Sequence, residues 1–178
     1  MIGQNSSKTR SPIIIIATVA IVIALGIGLK LLNKEKIPDM SKSLAAVISS
    51  DVAMLTNKER SGNSLGSLKY NTVLAKAAQM KAEDMAKRGY FSHKDPTGLP
   101  PWKWLDQVGY DYTYAGENLG LNFIESDQLI EAWMNSSLHR LNLLNKNYAE
   151  IGIGIASGIY DGKQAIFIVQ FLSKSTLN

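Results

Sequence analysis

The alternation Ile151-Gly152-Ile153-Gly154-Ile155-Ala156 constrains the fold of this chain more than any other stretch. Its period of two marks a strand, with isoleucines on one face and almost nothing on the other. Glycine weakens a strand and offers no side chain to pack, so another element must lie directly against this backbone. Asp161-Gly162 then supplies a hairpin turn. Residues 163–172 form the next strand, with Ala165, Phe167, Val169 and Phe171 on one face and Ile166 and Ile168 on the other. A strand apolar on both faces is covered on both faces.

Upstream the apolar period is helical. Leu44, Val47, Ile48, Val52 and Leu55 predict a helix over residues 43–60, with Ser41 or Ser43 as N-cap. A second helix follows Asn71 and runs through Leu74, Ala78, Ala82 and Met85 to Gly89, a residue suited to the C-cap. The alanines along it permit close packing against a neighbour. Asp95-Pro96-Thr97-Gly98 is a turn, and a short helix over 102–108 is stopped by Gly109. Ser126 caps a helix carrying Leu129, Ile130 and Trp133, and a shorter one starting at Ser136 or Ser137 holds His139. Helices first and a small antiparallel sheet last, covered from both sides, predict an α+β domain in three layers.

The amino-terminal segment differs in kind. Residues 13–29 are all apolar, Gly or Thr, and Leu31-Leu32 extend the run past Lys30. About 20 such residues cross a hydrocarbon core of ~30 Å, so residues 13–32 are expected to be a transmembrane anchor, with Lys30 snorkelling to the interface. A cleaved signal peptide is the alternative, although the run exceeds the usual apolar region of roughly 7–15 residues. Residues 1–12 form a tail and 33–42, containing Pro38, a linker to a domain over 43–178. Residues 1–42 carry six Lys/Arg against two Asp/Glu, whereas the remainder carries thirteen of each. The basic character therefore belongs to the membrane-proximal part. The neutral domain has no basic cluster interleaved with aromatics, which argues against nucleic acid as a partner. Flanking charges lie on both sides of the apolar run and do not orient it.

With no cysteine and only two histidines, the material for a site is narrow. His93 stands in Tyr90-Phe91-Ser92-His93-Lys94-Asp95-Pro96, and His139 in Ala132-Trp133-Met134-Asn135-Ser136-Ser137-Leu138-His139-Arg140. Between them lies Ala115-Gly116-Glu117-Asn118-Leu119. Two imidazoles and a carboxylate can coordinate a metal, relay a proton or grip a polar ligand. Ser92, Ser136 and Ser137 lack a Gly-x-Ser-x-Gly elbow, and helix capping accounts for Ser136 or Ser137. Glu117 also has a structural reading, as a loop carboxylate accepting backbone N–H bonds while Asn118 turns the chain. Trp102, Trp104, Trp133, Tyr110, Tyr112 and Tyr114 are expected in the core and at a cleft rim, where a sugar- or lipid-binding face is an alternative.

These motifs, together with Asn57-Lys58-Glu59-Arg60, Asp84-Met85-Ala86, Gly109-Tyr110, His139-Arg140-Leu141-Asn142 and Glu150-Ile151-Gly152-Ile153-Gly154, resemble the CAP superfamily (SCP domain). That family comprises cysteine-rich secretory, antigen 5 and pathogenesis-related proteins, and the likeness is to its cysteine-free bacterial branch. The resemblance covers roughly residues 44–172. It implies an α–β–α sandwich with a central cleft, lined by two histidines and acidic residues, where several members bind zinc or another divalent cation. His93, Glu117 and His139 fall on the matching positions. Ser136 stands where many eukaryotic members have a second glutamate, and Ser136-Ser137-Leu138-His139 replaces the bacterial Ser-Pro-Gly-His. Glu150 is the candidate replacement carboxylate, or else it marks the solvated end of a strand.

Three functional expectations follow. The first is a membrane-anchored, extracytoplasmic module binding a divalent metal, a polar ligand or a lipid in a His/Glu-lined cleft. The second is a metal-assisted hydrolase of envelope material, with Glu117 as general base. The third is an adhesive domain with a vestigial cleft. The expected location is the cell membrane, single-pass, or the exterior after signal cleavage.

Overall fold

A computed structural model describes residues 40–176, with side chains from Ile48 onward. The expected anchor at 13–32, the tail 1–12 and the linker up to residue 39 lie outside the described residues. Among the described residues, no helix is long and apolar enough to cross a membrane.

The elements are α1 (Met40–Gly62), β1 (Lys69–Tyr70), α2 (Thr72–Arg88), α3 (Trp102–Gln107), β2 (Tyr112–Leu121), α4 (Ser126–Asn135), α5 (Ser137–Leu143), β3 (Glu150–Tyr160) and β4 (Lys163–Ser175). The strands form one sheet in the order β1-β3-β4-β2. The expectation of a purely antiparallel sheet is corrected: β1 pairs parallel with β3 at Lys69 and Tyr70, while β2 and β3 pair antiparallel with β4. A two-residue strand is too short to carry a periodic signal.

The hairpin turn falls at Asp161-Gly162, with φ of 50° and 72°. Positive φ at both central residues suits the twist of the flanking strands. The register sets the two faces. Ile151, Ile153, Ile155, Ile168 and Leu172 pack with Ile48 and Val52 of α1, Leu129, Ile130 and Trp133 of α4, and Leu143 of α5. Ala165, Phe167, Val169 and Phe171 pack instead with Leu74, Ala78 and Met85 of α2 and Leu105 of α3. Helices thus cover both faces.

α2 lies against the bare face of β3. An added Cβ at Gly152 would sit 2.3 Å from Ala75 N, and one at Gly154 would sit 2.2 Å from the carbonyl carbon of Ala78. Gln79 projects from the same helix to the strand edge beyond β1, donating to Ile155 O and accepting from Ile155 N, both at 2.9 Å. It satisfies backbone groups that no neighbouring strand reaches.

Helix ends agree with the sequence in part. Asn71 caps α2 by accepting from Val73 N at 2.9 Å and Leu74 N at 3.1 Å, and Gly89 closes it at φ 67°. α1 begins at Met40, so Ser41 and Ser43 lie inside it rather than capping it. Ser126 is the first residue of α4, and Glu125 occupies the cap position without a side-chain bond. The motif residues Asn57 and Arg60 bind backbone. Asn57 exchanges hydrogen bonds with Leu68 N and O, while Arg60 donates to the carbonyls of Gly66, Leu143, Asn145 and Tyr148.

Candidate functional site

Glu117 lies within β2, not in a loop, and Asn118 does not turn the chain. The strand escaped periodicity because its interior reads Gly-Glu-Asn-Leu-Gly, polar or bare where an apolar alternation would announce a strand. Its register with β4 sets Glu117 opposite Phe171 and Asn118 opposite Gln170, which sends the two side chains to opposite faces. Glu117 therefore faces α2. There it meets Lys81, which stands on the apolar stripe formed by Leu74, Ala77, Ala78, Ala82 and Met85.

His93 belongs to the loop that follows α2. Asp95 organises that loop by accepting from Thr97 N at 2.8 Å, the Thr97 hydroxyl at 2.6 Å and Leu99 N at 3.0 Å, and by pairing with Lys103. The Lys103 ammonium, then the Thr97 hydroxyl, hold the Asp95 carboxyl well below the usual carboxylate range. At the helix end, Tyr90 donates to Asp84 at 2.7 Å.

The resulting arrangement is a chain of three groups. His93 Nδ1 lies 2.5 Å from Glu117 Oε1, and Lys81 Nζ lies 2.6 Å from Glu117 Oε2. The second contact is held by charge rather than by an aligned hydrogen bond, so Oε2 lacks a well-directed donor. Lys81 also donates to the carbonyl of His93 at 2.5 Å. The Lys81 and Glu117 side chains are 0% and 2% exposed, against 58% for His93. Burial pushes the Lys81 ammonium below its ordinary value, and Glu117 acts in the opposite sense. An ion pair sealed in the core thus ends in an imidazole open to solvent. His93 and Glu117 line an open hollow of about 320 Å³ with Lys94, Pro101, Trp102 and Asn142.

A second polar network backs the site from the other face. Gln170 donates to Thr56 of α1 at 3.0 Å and accepts from Asn118 at 2.9 Å. Asn118 in turn accepts from Asn142 at 3.0 Å and donates to the carbonyl of His139 at 3.3 Å. Thr56, Asn118 and Gln170 are fully buried. Buried polar groups are costly once unpaired, so Asn118→Leu is expected to lower the unfolding free energy by about 2 kcal/mol. Urea denaturation followed by tryptophan fluorescence measures this, and a loss under ~0.5 kcal/mol, the range of an ordinary surface change, would contradict it.

Of the sequence-derived candidates, the structure joins His93 and Glu117 directly. His139 lies on α5 outside the lining of the hollow, although its ring senses the site. Burial first, then the His93 imidazole, push it below the ordinary histidine value. Glu150 is not at a solvated strand end. It is 5% exposed, faces Ser173 across the sheet and accepts a hydrogen bond from the Tyr110 hydroxyl. Burial, then this bond to Glu150, push the Tyr110 hydroxyl far above its usual range. Trp104, Trp133 and Tyr110 are core, Trp102 lines the hollow and Tyr114 is exposed. Sequence reasoning missed Lys81. Its signal was a lysine seven residues after Leu74, on a stripe otherwise apolar.

Comparison with known proteins accounts for this arrangement. Residues 54–171 match the model of the CAP family, described as the cysteine-rich secretory protein family. An uncharacterized protein of Bacillus subtilis, YkwD, is 37% identical over 123 residues, covering 69% of this chain and 46% of its own length. A second from the same organism, named as the uncharacterized membrane protein YlbC, is 30% identical over 119 residues, covering 67% of this chain and 34% of its own. The chain thus spans less than half the length of these relatives. Among solved structures, an extracellular SCP-domain protein of Bacillus anthracis superposes with a TM-score of 0.66 at 29% identity, covering 78% of this chain and 44% of that one. The motifs, the helix-covered mixed sheet and these matches agree: the chain belongs to the CAP family.

Proposed function

We propose that this protein is an extracytoplasmic binding module, tethered by residues 13–32, whose hollow takes a divalent cation of the zinc type at His93 Nε2. His139, outside the lining of the hollow but near enough that the His93 imidazole adds to burial in lowering its pKa, would approach from α5 as the second imidazole. The observation that carries this reading is an exposed imidazole whose other nitrogen is held by a buried carboxylate. Ligating histidines are commonly oriented this way, with the carboxylate fixing the tautomer and raising the basicity of the ring. Names among the relatives support the location, since one is called a membrane protein and another extracellular.

The donor set differs from three direct ligands. Both oxygens of Glu117 are engaged, one by His93 and one by Lys81, so Glu117 fits better behind the imidazole than on the ion. Among the described residues, no group of three or more His, Cys, Asp or Glu side chains is placed to hold a metal. Two imidazoles suit zinc and its neighbours and leave positions for water or a polar ligand.

Titration calorimetry of the full chain in detergent micelles with zinc tests the reading. Wild type is expected to bind, His93→Ala to lose binding, and Glu117→Gln to bind roughly 10–100-fold more weakly, as for other supporting carboxylates. Absence of zinc binding by wild type, or unchanged binding by His93→Ala, sinks it.

A further inference from the structure

The edge of a sheet is a row of backbone donors and acceptors that a folded chain normally covers. β2 is such an edge, since it ends the order β1-β3-β4-β2 and pairs with β4. Opposed residues in an antiparallel ladder alternate between pairs that exchange both hydrogen bonds and pairs that exchange none. Asn122 N donates to Ile166 O at 2.8 Å, so in the same register Gly120, Asn118 and Gly116 bond inward to β4. The N–H and C=O groups of Leu119, Glu117 and Ala115 therefore point away from the sheet. Helix side chains cover two of these carbonyls. Trp133 Nε1 donates to Leu119 O at 2.9 Å, and Asn142 Nδ2 donates to Glu117 O at 3.0 Å. The cover stops there. Among the described residues, no hydrogen bond reaches the outward groups of Ala115.

That uncovered backbone lies in the hollow, whose lining includes Ala115, Gly116 and Glu117 of β2 together with Trp102 and Asn142. Trp102 starts α3, in the layer of α2, whereas Asn142 belongs to α5 in the opposite layer. The hollow thus opens between the two layers at the edge of β2, where a further strand would lie about 4.8 Å away. We propose that it takes an extended peptide segment, which adds to β2 by pairing with the N–H and C=O of Ala115. In strand addition the backbone bonds supply affinity, and pockets for alternate side chains supply specificity. One set of side chains would meet the Trp102 ring, braced by Tyr112 with ring centroids 6.2 Å apart, and the other would meet Asn142. An apolar or aromatic residue therefore suits the position opposite Trp102. This inference names the partner class of the proposed binding module and rests on that reading for its purpose, but the backbone pairing needs no cation.

The probe is a pool of N-acetylated, C-amidated pentapeptides of Val, Thr, Phe, Ser and Ala. It is passed, in a buffer containing a metal chelator, over the full chain immobilised in detergent micelles, and retained peptides are identified by mass spectrometry. Wild type is expected to retain members of the pool, with an apolar or aromatic residue recurring at alternate positions. A pool of the same composition with its backbone amides methylated has no N–H to donate and is expected to pass through. Ala115→Pro removes the outward N–H, a change that an edge strand tolerates because β4 does not use that group. It is expected to weaken retention by about tenfold or more, the scale of one lost hydrogen bond. Should that variant not fold, the methylated pool alone decides. No retention by wild type overturns the proposal, as does equal retention of the methylated pool or equal retention by folded Ala115→Pro. Self-association of the chain that Ala115→Pro abolishes would assign the edge to a second copy and overturn it too. Retention of peptides by a wild type that binds no zinc counts against the cation reading alone.

Discussion

Gly154→Ala is expected to cost about 3 kcal/mol or more of unfolding free energy, at the upper end of overpacking penalties. The new methyl would sit 2.2 Å from both the Ala78 carbonyl carbon and Gln79 N, and 2.4 Å from Ala78 O. All three are backbone atoms of α2, so no side chain can rotate away. The helix must lift from β3, and several contacts of the core formed by Leu74, Ala78, Phe167 and Phe171 loosen together. The hydrogen bonds from Gln79 to Ile155 would stretch with them. A domain whose total stability is ~5–15 kcal/mol does not absorb that easily. Gly66→Ala is the control, since its added Cβ meets nothing within 4 Å. It is expected to stay within ~0.5 kcal/mol of wild type. Chemical denaturation of both variants, monitored by tryptophan fluorescence, measures the difference. Equal midpoints would mean that the close approach of α2 to β3 is not tightly set.

The same residues show what was legible beforehand. A strand of alternating isoleucine and glycine announced both a buried face and a close neighbour, because bare backbone has no other use in a core. The alanines of α2 announced the complementary surface. β4 declared itself by being apolar on two faces, and Asn71 and Gly89 declared the ends of α2 through cap chemistry that needs no tertiary context. β2 was not legible. Its interior replaces the apolar alternation with Glu117 and Asn118, each satisfied by a partner that only the folded chain supplies. For the same reason the motif identified the family better than it identified roles. Asn57, Arg60 and Asn118 hydrogen-bond to backbone or buried side chains, and Asp84 to the half-buried Tyr90. Conversely, the resemblance placed His93 and Glu117 in one cleft as ligands side by side, and neither their hydrogen bond nor the ammonium behind it was anticipated. A helical lysine reads as solvated by default, and only the register of β2 reveals that position 81 faces a carboxylate.

That buried ammonium predicts the second large effect. Lys81→Met and Glu117→Leu are each expected to cost roughly 3–5 kcal/mol, because either substitution leaves one charge sealed in the core without its partner. The double variant is expected to be more stable than the sum of the single losses predicts, since two well-packed apolar side chains replace a pair whose desolvation offset much of its attraction. The coupling measured by the double-mutant cycle should therefore be large and favourable to the pair. It should persist at high salt, because both side chains lie where mobile ions do not reach. Additive losses would mean that Lys81 and Glu117 act separately, with Lys81 held chiefly by the His93 carbonyl. The double variant also separates stability from the site. If it regains stability while its zinc binding stays weakened, the ion pair is kept for what it does to His93 rather than for the fold, since an apolar pair would serve the core as well.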